Sequence, residues 1–199
     1  MDHVATTTDL KLTCHPGKDG HKFVFDYTLH NLGQTDVYVM QATTSIDPST
    51  RAARADDKVA CVILDGQGDA IIGKFPAPLP TSQRAAMPVL PLAVRLAPGD
   101  ILEERLEVAE PLAETSPYLP DLKLREYDVV DIDAVVFAIG YWVSGVEGIA
   151  AAPSPYAPGL YSMVTGGGGT GSAVVSQRFK TRGLQVFKRS VPVAQSLPN

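Results

Sequence analysis

The sequence lacks the features that would direct it to a membrane or to a nucleic acid. Its main apolar run, at 134–143, is far shorter than the about 20 residues that a membrane-spanning helix needs. The net charge is −5 and the isoelectric point is about 5.3. The basic residues near the C-terminus are spread along the chain rather than clustered (Lys180, Arg182, Lys188 and Arg189). We therefore expect neither a nucleic acid nor an anionic membrane surface as a partner.

Cysteine is also scarce, since Cys14 and Cys61 are the only two in the chain. Two cysteines suit a reducing compartment and cannot form the disulfide framework of a small secreted domain. Their spacing leaves open whether they pair with each other. The N-terminal segment MDHVATTTDLK has no basic stretch followed by an apolar one, as a signal peptide would. The prediction is a cytoplasmic protein, with a leader removed from the chain as the alternative.

The motifs of several common enzyme classes are missing as well. No GxSxG, HExxH or CxxC pattern occurs in the sequence. The sequence therefore lacks the signatures of the serine-hydrolase and metalloprotease classes. These absences favour a protein that is not an enzyme, with a small enzyme as the alternative, and we expect neither a cofactor nor a metal.

What the chain does contain is a strong strand signal at 129–143, VVDIDAVVFAIGYWV. Its even positions are free of polar residues from Val130 to Trp142. Its odd positions begin with Asp131 and Asp133 and then become apolar. A period of two with many β-branched and aromatic residues predicts a central strand, covered on both faces at its C-terminal end.

Similar alternation predicts shorter strands before and after this one. They fall at 10–12, 23–29, 37–40, 59–64, 70–74, 92–96, 173–181 and 184–193. The stretch 101–108 fits either a helix capped by Asp100 or a strand, and the preceding Pro-Gly-Asp turn favours the strand. The predicted fold is an all-β, antiparallel, immunoglobulin-like β-sandwich with long Pro/Gly-rich loops. It forms a single domain at 1–193, followed by a frayed tail at 194–199.

The connections are predicted from proline, glycine and polar residues. We expect a turn at 15–20 (HPGKDG), a crossing between sheets at 75–91, and an irregular segment at 111–128 with a short helix at 121–127. The segment 144–172 is predicted to be one long loop that ends in TGGGGTGS.

Two short patches resemble bacterial immunoglobulin-like sandwiches. FVFDYTLHNLGQTDVYVM is similar to their strand–NxGxxxV–strand element, and VRLAPGDILEERLEV is similar to their later hairpin. The intracellular proteinase-inhibitor-type sandwich of bacilli has both elements in this order. The patches cover about a sixth of the chain. The resemblance implies an immunoglobulin-like fold and, less directly, protein binding.

The first candidate site lies near the N-terminus, where all four histidines fall within thirty residues. If Leu12 pairs with Phe23, Cys14 lies opposite His21, and a thiol–imidazole contact would make the cysteine reactive. The alternative is an inert buried cysteine beside a turn histidine. No third ligand faces this pair, so no metal site is expected.

Two further candidates are weaker. Asp131 and Asp133 are predicted on one face of the central strand, where paired carboxylates could exchange protons or bind a hard cation. The alternative is a solvated strand end. The glycine-rich segment at 165–172 lacks the lysine of a phosphate-binding P-loop, so a mobile loop is the favoured interpretation.

The bulky face of the central strand is the most informative candidate. Val135, Phe137, Ile139 and Tyr141 need a cover, which we expect to be either the 144–172 loop or a partner chain. The leading hypothesis is a non-catalytic module that binds another protein. The alternatives are a small enzyme or ligand-binding protein with a pocket under the 144–172 loop, and a structural subunit that self-associates.

Overall fold

The computed structural model describes residues 3–47, 49–58, 60–78, 89, 91–118, 126–165 and 171–190. The regular structure of these residues is β-strand, which confirms the all-β prediction. In chain order the strands are β1 (His3–Thr6), β2 (Leu10–Asp19), β3 (Lys22–Asn31), β4 (Val37–Ile46), β5 (Ala53–Asp56), β6 (Cys61–Leu64), β7 (Ala70–Lys74), β8 (Pro91–Leu96), β9 (Ile101–Ala109), β10 (Leu112–Ala113), β11 (Tyr127–Val143), β12 (Ile149–Pro153), β13 (Leu160–Thr165) and β14 (Ala173–Arg189). No helix in the described residues is long and apolar enough to span a membrane.

The strands form two sheets of unequal size. The smaller sheet has four strands in the order β1-β2-β3-β9, and all of its pairs are antiparallel. The larger sheet has ten strands, with the main order β10-β14-β11-β4-β8-β13-β12. Strand β5 adds to β4, and the β6–β7 hairpin adds to β11. The larger sheet is mixed, because β7 runs parallel to β11 and β10 runs parallel to β14.

Strand β11 is the central strand that the sequence predicts. It pairs with β14 over most of its length and with β7 and then β4 along its other edge. The register with β14 shifts between Ile132 and Ala134. This bulge reverses the alternation, so that Ile132 on one side of it and Val135 on the other both join the same core. An assignment of faces by odd and even positions therefore does not hold across Asp133, because the faces exchange at the bulge.

The main core fills the space between the two sheets. Phe25 of β3 stacks on Phe137 of β11 with ring centroids 4.8 Å apart, and Tyr27 lies 5.0 Å from the same ring. Both phenylalanines are almost completely buried. This packing identifies the smaller sheet as the layer that covers the bulky face of β11.

Two smaller apolar clusters lie outside the main core. One contains Cys61, Ile63, Ile71, Phe75, Ala77 and Ala138, and the other contains Met40, Ala93, Trp142 and Met163. The first one depends on a close approach to β11, since a Cβ on Gly140 would lie 2.7 Å from Cδ of Pro76. The small residues on this side of β11 therefore admit the 75–77 segment.

Several predicted connections differ from the structure. The expected turn at 15–20 is wrong, because β2 continues to Asp19 and the turn consists of Gly20 and His21. Pro16 is tolerated within β2 because its nitrogen faces the edge on the β1 side, where the pairing of the described residues ends at Cys14. The expected single loop at 144–172 is also wrong, since it contains the hairpin of β12 and β13.

Other predictions are confirmed or stay predictions. The strand interpretation of 101–108 is confirmed by β9, and the irregular segment at 111–128 contains the short strand β10. The predicted helix at 121–127 falls mostly outside the described residues, and Tyr127 already belongs to β11. Residues 79–88 of the crossing and the tail at 194–199 lie outside them too, so the single domain at 1–193 stays a prediction.

The parallel pairing of β7 with β11 generates a first testable prediction. A Cβ on Gly73 would lie 1.8 Å from the carbonyl oxygen of Ala138. We expect Gly73→Ala to lower the free energy of unfolding by at least about 3 kcal/mol, because the two backbones would have to separate. The matched control is Gly17→Ala in β2, where an added Cβ meets no atom within 4 Å. Chemical denaturation of both variants measures the difference, and equal stability losses would contradict the pairing.

Candidate functional site

The predicted contact between Cys14 and His21 is wrong. Strand pairing places Cys14 opposite Tyr27 on one side and opposite His3 on the other. His21 is exposed in the turn between β2 and β3. The pairing differs from the expected one because β2 extends further and the hairpin closes later. Burial, with a smaller contribution from Asp26, raises the pKa of the Cys14 thiol to about 12.

The second cysteine is equally inert. Cys61 belongs to the cluster on the outer side of the ten-stranded sheet, whereas Cys14 lies in the main core between the sheets. Both cysteines are free, and their places on opposite sides of the sheet explain why they do not pair. Burial raises the pKa of Cys61 to about 12, and its Sγ lies 3.8 Å from the carbonyl oxygen of Phe75. Neither thiol has the environment of a nucleophile.

The two aspartates of the central strand are exposed. Asp131 pairs with Gln185 in the sheet, and Asp133 lies in the bulge. Arg178 forms a bidentate ion pair with Asp69, at 2.5 and 2.9 Å, and the nearby Asp133 adds to the rise in the Arg178 pKa. Among the described residues, no group of three or more His, Cys, Asp or Glu side chains could hold a metal ion. The glycine segment falls largely outside these residues, at 166–170.

The four side chains predicted to bind a partner are buried inside the sandwich. Val135, Phe137, Ile139 and Tyr141 are at most 3% exposed. Their cover is the four-stranded sheet, and neither the 144–172 segment nor a second chain is needed for it. The Tyr141 hydroxyl reaches that sheet's first connection, 3.1 Å from Oγ1 of Thr7. The bulky face of β11 is therefore a core surface and not a free docking surface.

A polar cluster that the sequence analysis missed lies inside the protein. It consists of Tyr27 on β3, Gln41 on β4 and Lys74 at the end of β7, which are 3%, 8% and 5% exposed. Lys74 donates a hydrogen bond from Nζ to Oε1 of Gln41 at 3.1 Å. Gln41 can reach inward because the β4–β8 register shifts between Met40 and Ala42. That shift leaves no mark in the sequence, which explains why the cluster is missed.

The electrostatics of this cluster are unusual. Burial lowers the pKa of Lys74, although Glu104 and Asp57 act in the opposite direction. Burial also raises the pKa of Tyr27, with Glu104 adding to the rise and the Gln41 amide opposing it. Oη of Tyr27 and Nε2 of Gln41 are both buried, and they interact with each other without a further hydrogen-bond partner. The cluster therefore retains unused hydrogen-bonding capacity.

The outer face of the four-stranded sheet is strongly charged. Arg105 contacts Asp19 at 3.0 Å, Asp26 at 3.5 Å and Glu107 at 3.1 Å. Beside it lies an open depression of about 520 Å³, lined by His15, Asp26, Tyr27, Thr28, Glu103, Glu104 and Arg105. Exposed ion pairs of this kind contribute little to stability, and they keep the edge strand β9 soluble.

The end of the larger sheet that is formed by β12 and β13 has no such charges. Strands β12 and β13, with sequences IAAAP and LYSMVT, contain no charged residue. They extend the sheet beyond β8, and in the described part of the chain β12 pairs with β13 alone. Val164 is 57% exposed, and its cross-strand partner Ala150 is exposed too. One side of this β12–β13 hairpin is therefore an apolar surface that the described residues leave uncovered.

Comparisons with protein families, curated proteins and solved structures find no match for this chain. A function for this chain is therefore inferred from the geometry of its own residues. Among the candidate residues described above, neither cysteine has a general base beside it.

The burial of Phe137 generates a prediction about stability. We expect Phe137→Ala to lower the free energy of unfolding by about 3–5 kcal/mol, because it removes a stacked ring from the main core. Val129→Ala on the exposed part of the same strand is the control. Chemical denaturation combined with sedimentation checks the result. A Phe137→Ala protein of normal stability that loses an association would restore the partner-binding interpretation.

The burial of the two thiols generates a prediction about their reactivity. With a pKa of about 12, each buried cysteine holds about one thiolate in ten thousand at pH 8, so both should resist iodoacetamide. Both should react fully once guanidinium unfolds the protein. Mass spectrometry of the two cysteine peptides over time measures the rates. Rapid modification of Cys14 alone in the folded protein would contradict the geometry.

Proposed function

We propose that this protein is a non-catalytic, immunoglobulin-like β-sandwich that binds another protein through its β12–β13 hairpin. The observation that carries the proposal is an apolar surface, free of charged residues, that the described residues leave uncovered. Exposed apolar surfaces of this kind are typical of protein–protein contacts. The resemblance of the β3–β4 and β8–β9 patches to bacterial immunoglobulin-like domains supports the same function class.

The surface lies on one side of the hairpin. Leu160 pairs with Val94, which packs against the main core, so Leu160 and Val164 share the side of the sheet that faces the smaller sheet elsewhere. Ala150 and Ala152 lie opposite Val164 and Ser162 on the same side. The smaller sheet does not extend this far, because Val164, Ala150 and Ala152 are all exposed. A partner would continue the missing layer of the sandwich.

Docking on this face is favoured over addition of a strand to the β12 edge. Ser154 donates a hydrogen bond to the carbonyl oxygen of Leu160, so Ala151 and Pro153 direct their backbone groups to the free edge. Pro153 has no N–H, and the N–H of Ile149 already donates to Val146. Only Ala151 therefore offers a backbone donor along this edge, which is too little for an extended ladder.

A second copy of the same chain is the alternative occupant. An uncharged surface has no charge that would repel an identical one, so self-association is compatible with the same face. The experiment below separates the two cases.

Val164→Asp tests the proposal, with Val129→Asp as the matched control because Val129 is 55% exposed on β11. A carboxylate within an apolar contact should weaken binding at least about tenfold, whereas the control should bind normally. Co-purification from the source cells reports a different partner. Sedimentation velocity of the purified protein reports a second copy.

Loss of a stoichiometric partner in Val164→Asp alone would support the proposal. Loss of self-association in that variant alone would favour the structural subunit. Equal behaviour of both variants in both measurements would overturn the assignment of this face.

A further inference from the structure

The free edge of β9 faces the uncovered part of the larger sheet. The strands of the smaller sheet lie over those of the larger one in the same order, since His3 of β1 contacts Phe179 of β14 and Phe25 of β3 stacks on Phe137 of β11. Strand β9 comes next, and it begins after the short turn that follows β8. The smaller sheet ends at β9, whereas the larger one continues through β13 and β12.

The described residues therefore form a step beside β9. The wall of the step is the free edge of β9, and its floor is the apolar side of the β12–β13 hairpin, where Val164 and Ala150 are exposed. Packed sheets lie about 10 Å apart, which is the height of one layer of interlocking side chains. A strand added to β9 would therefore hold its side chains against the hairpin.

The wall of the step offers an unbroken row of backbone hydrogen-bonding groups. Within the described residues, β9 pairs with β3 alone. The N–H of Glu110 donates to His21 and the N–H of Asn31 donates to Asp100, so the even-numbered residues of β9 direct their backbone groups to β3. The odd-numbered residues direct theirs to the free edge: Ile101, Glu103, Arg105, Glu107 and Ala109. Strand β9 contains no proline, so this edge can form a full ladder.

The charge along this edge is mainly negative. On the outer side of the sheet, Arg105 and Lys22 are the basic residues nearest to the edge. Their ion-pair partners are three carboxylates: Asp19, Asp26 and Glu107. Glu103 lies on the same side, and it forms no ion pair with the other described residues. A strand with lysine or arginine on its outer side would complement this excess of carboxylates.

We propose that the partner supplies an extended basic strand, which pairs with the free edge of β9 and packs its apolar side chains on the β12–β13 hairpin. This inference rests on the proposed docking function and names the part of the partner that docks. The added strand would be the fifth strand of the smaller sheet. Backbone pairing with β9 would supply affinity, and contacts with Leu160, Val164 and Ala150 would select apolar side chains at alternate positions.

A second copy of this chain does not fit the step. Antiparallel pairing of two β9 edges has a two-fold axis through the common sheet, which places both larger sheets in the same layer. Each larger sheet extends beyond its own β9 by the β12–β13 hairpin, so the two hairpins would occupy the same space. An isolated strand brings no second layer and avoids this overlap. The occupant is therefore a segment of a different protein.

Hydrogen exchange measured by NMR on the purified protein tests whether the edge is free. We expect the amides of Glu103, Arg105 and Glu107 to exchange at least about tenfold faster than those of Glu104 and Leu106, which donate to β3. Slow exchange at all five positions would show that the edge is already paired, with another part of the chain or with a second copy. That result would overturn the proposal.

A synthetic peptide then serves as the probe for the step. It has nine residues, the length of β9, with valine at alternate positions and lysine or threonine between them. Saturating peptide should slow exchange at Glu103, Arg105 and Glu107 at least about tenfold, and it should shift the methyl signals of Val164. The lack of any saturable effect would overturn the proposal.

Two control peptides separate backbone pairing from charge. The first carries N-methyl groups on the alternate residues whose N–H groups would pair, and the second has glutamate in place of lysine. Neither should slow the exchange of the edge amides. An equal effect of all three peptides would exclude a basic strand as the occupant.

A proline substitution tests the same pairing from the side of the protein. Glu103→Pro removes an N–H from the free edge and leaves the hydrogen bonds to β3 in place, so the variant should fold. Calorimetry should show at least about tenfold weaker peptide binding for Glu103→Pro, against about threefold for the control Glu103→Gln, which keeps the N–H and loses the charge. If Glu103→Pro does not fold, the N-methylated peptide decides the same point.

The outcomes separate this inference from the proposed docking function. Binding that is lost in Val164→Asp and retained in Glu103→Pro would keep the docking face and exclude the added strand. Binding that is lost in Glu103→Pro and retained in Val164→Asp would exclude the floor of the step as part of the site. Normal binding by both variants would overturn both proposals.

Discussion

The structure depends on covering β11 on both faces, because this strand carries large apolar side chains on one side and very small ones on the other. Phe137 on the bulky side is closed by Phe25 and Tyr27 of the smaller sheet. Gly140 on the small side is closed by the backbone of Phe75 and the ring of Pro76. Each cover imposes its own geometry. The first sets the distance between the sheets. The second follows directly after β7, which runs parallel to β11 at a separation that a Cβ on Gly73 would prevent.

Local alternation predicts the strands of this protein well, because half-buried strands must repeat every two residues. It identifies β11, the β3 face of Phe25 and Tyr27, and the β6–β7 hairpin around its Asp-Gly turn. It also decides correctly that the stretch after Asp100 is a strand and not a capped helix. These elements are specified by neighbours in the sequence, and no knowledge of the rest of the fold is needed to find them.

Alternation does not predict which strands face one another, and the candidate sites fail for that reason. The expected contact of Cys14 depends on the register of β2 and β3, which is set by the late turn at Gly20. Proline and glycine at 16 and 17 suggest a turn there, yet an uncovered edge tolerates both of them within a strand. The cover of Phe137 is likewise distant in the chain. It comes from residues more than a hundred positions earlier, so no local pattern reveals it.

The proline and glycine of the 144–172 segment mislead in a similar way. They favour an open loop, whereas the structure places Gly145, Gly148 and Gly159 in turns that flank two short strands. Once these strands are recognised, their lack of charge becomes informative. The edge strand β9 of the smaller sheet is protected by Glu103, Arg105 and Glu107, which is the usual way to prevent unwanted pairing. A molecule that protects one edge with charge and leaves the other apolar is asymmetric in a way that solubility alone does not explain.

The proposed docking surface is one of the places where the ordinary distribution of polar and apolar side chains is reversed. Lys74, Gln41 and Tyr27 put a charge and unused donors inside, and Val164 with its alanine neighbours puts apolar side chains outside. The same reversal occurs at other positions, since Glu114 and Arg189 are buried and Ile101 on β9 is 58% exposed. Departures from this regularity cost free energy, so a folded protein retains them where something else compensates the cost. A second protein would compensate the exposed apolar surface of the β12–β13 hairpin.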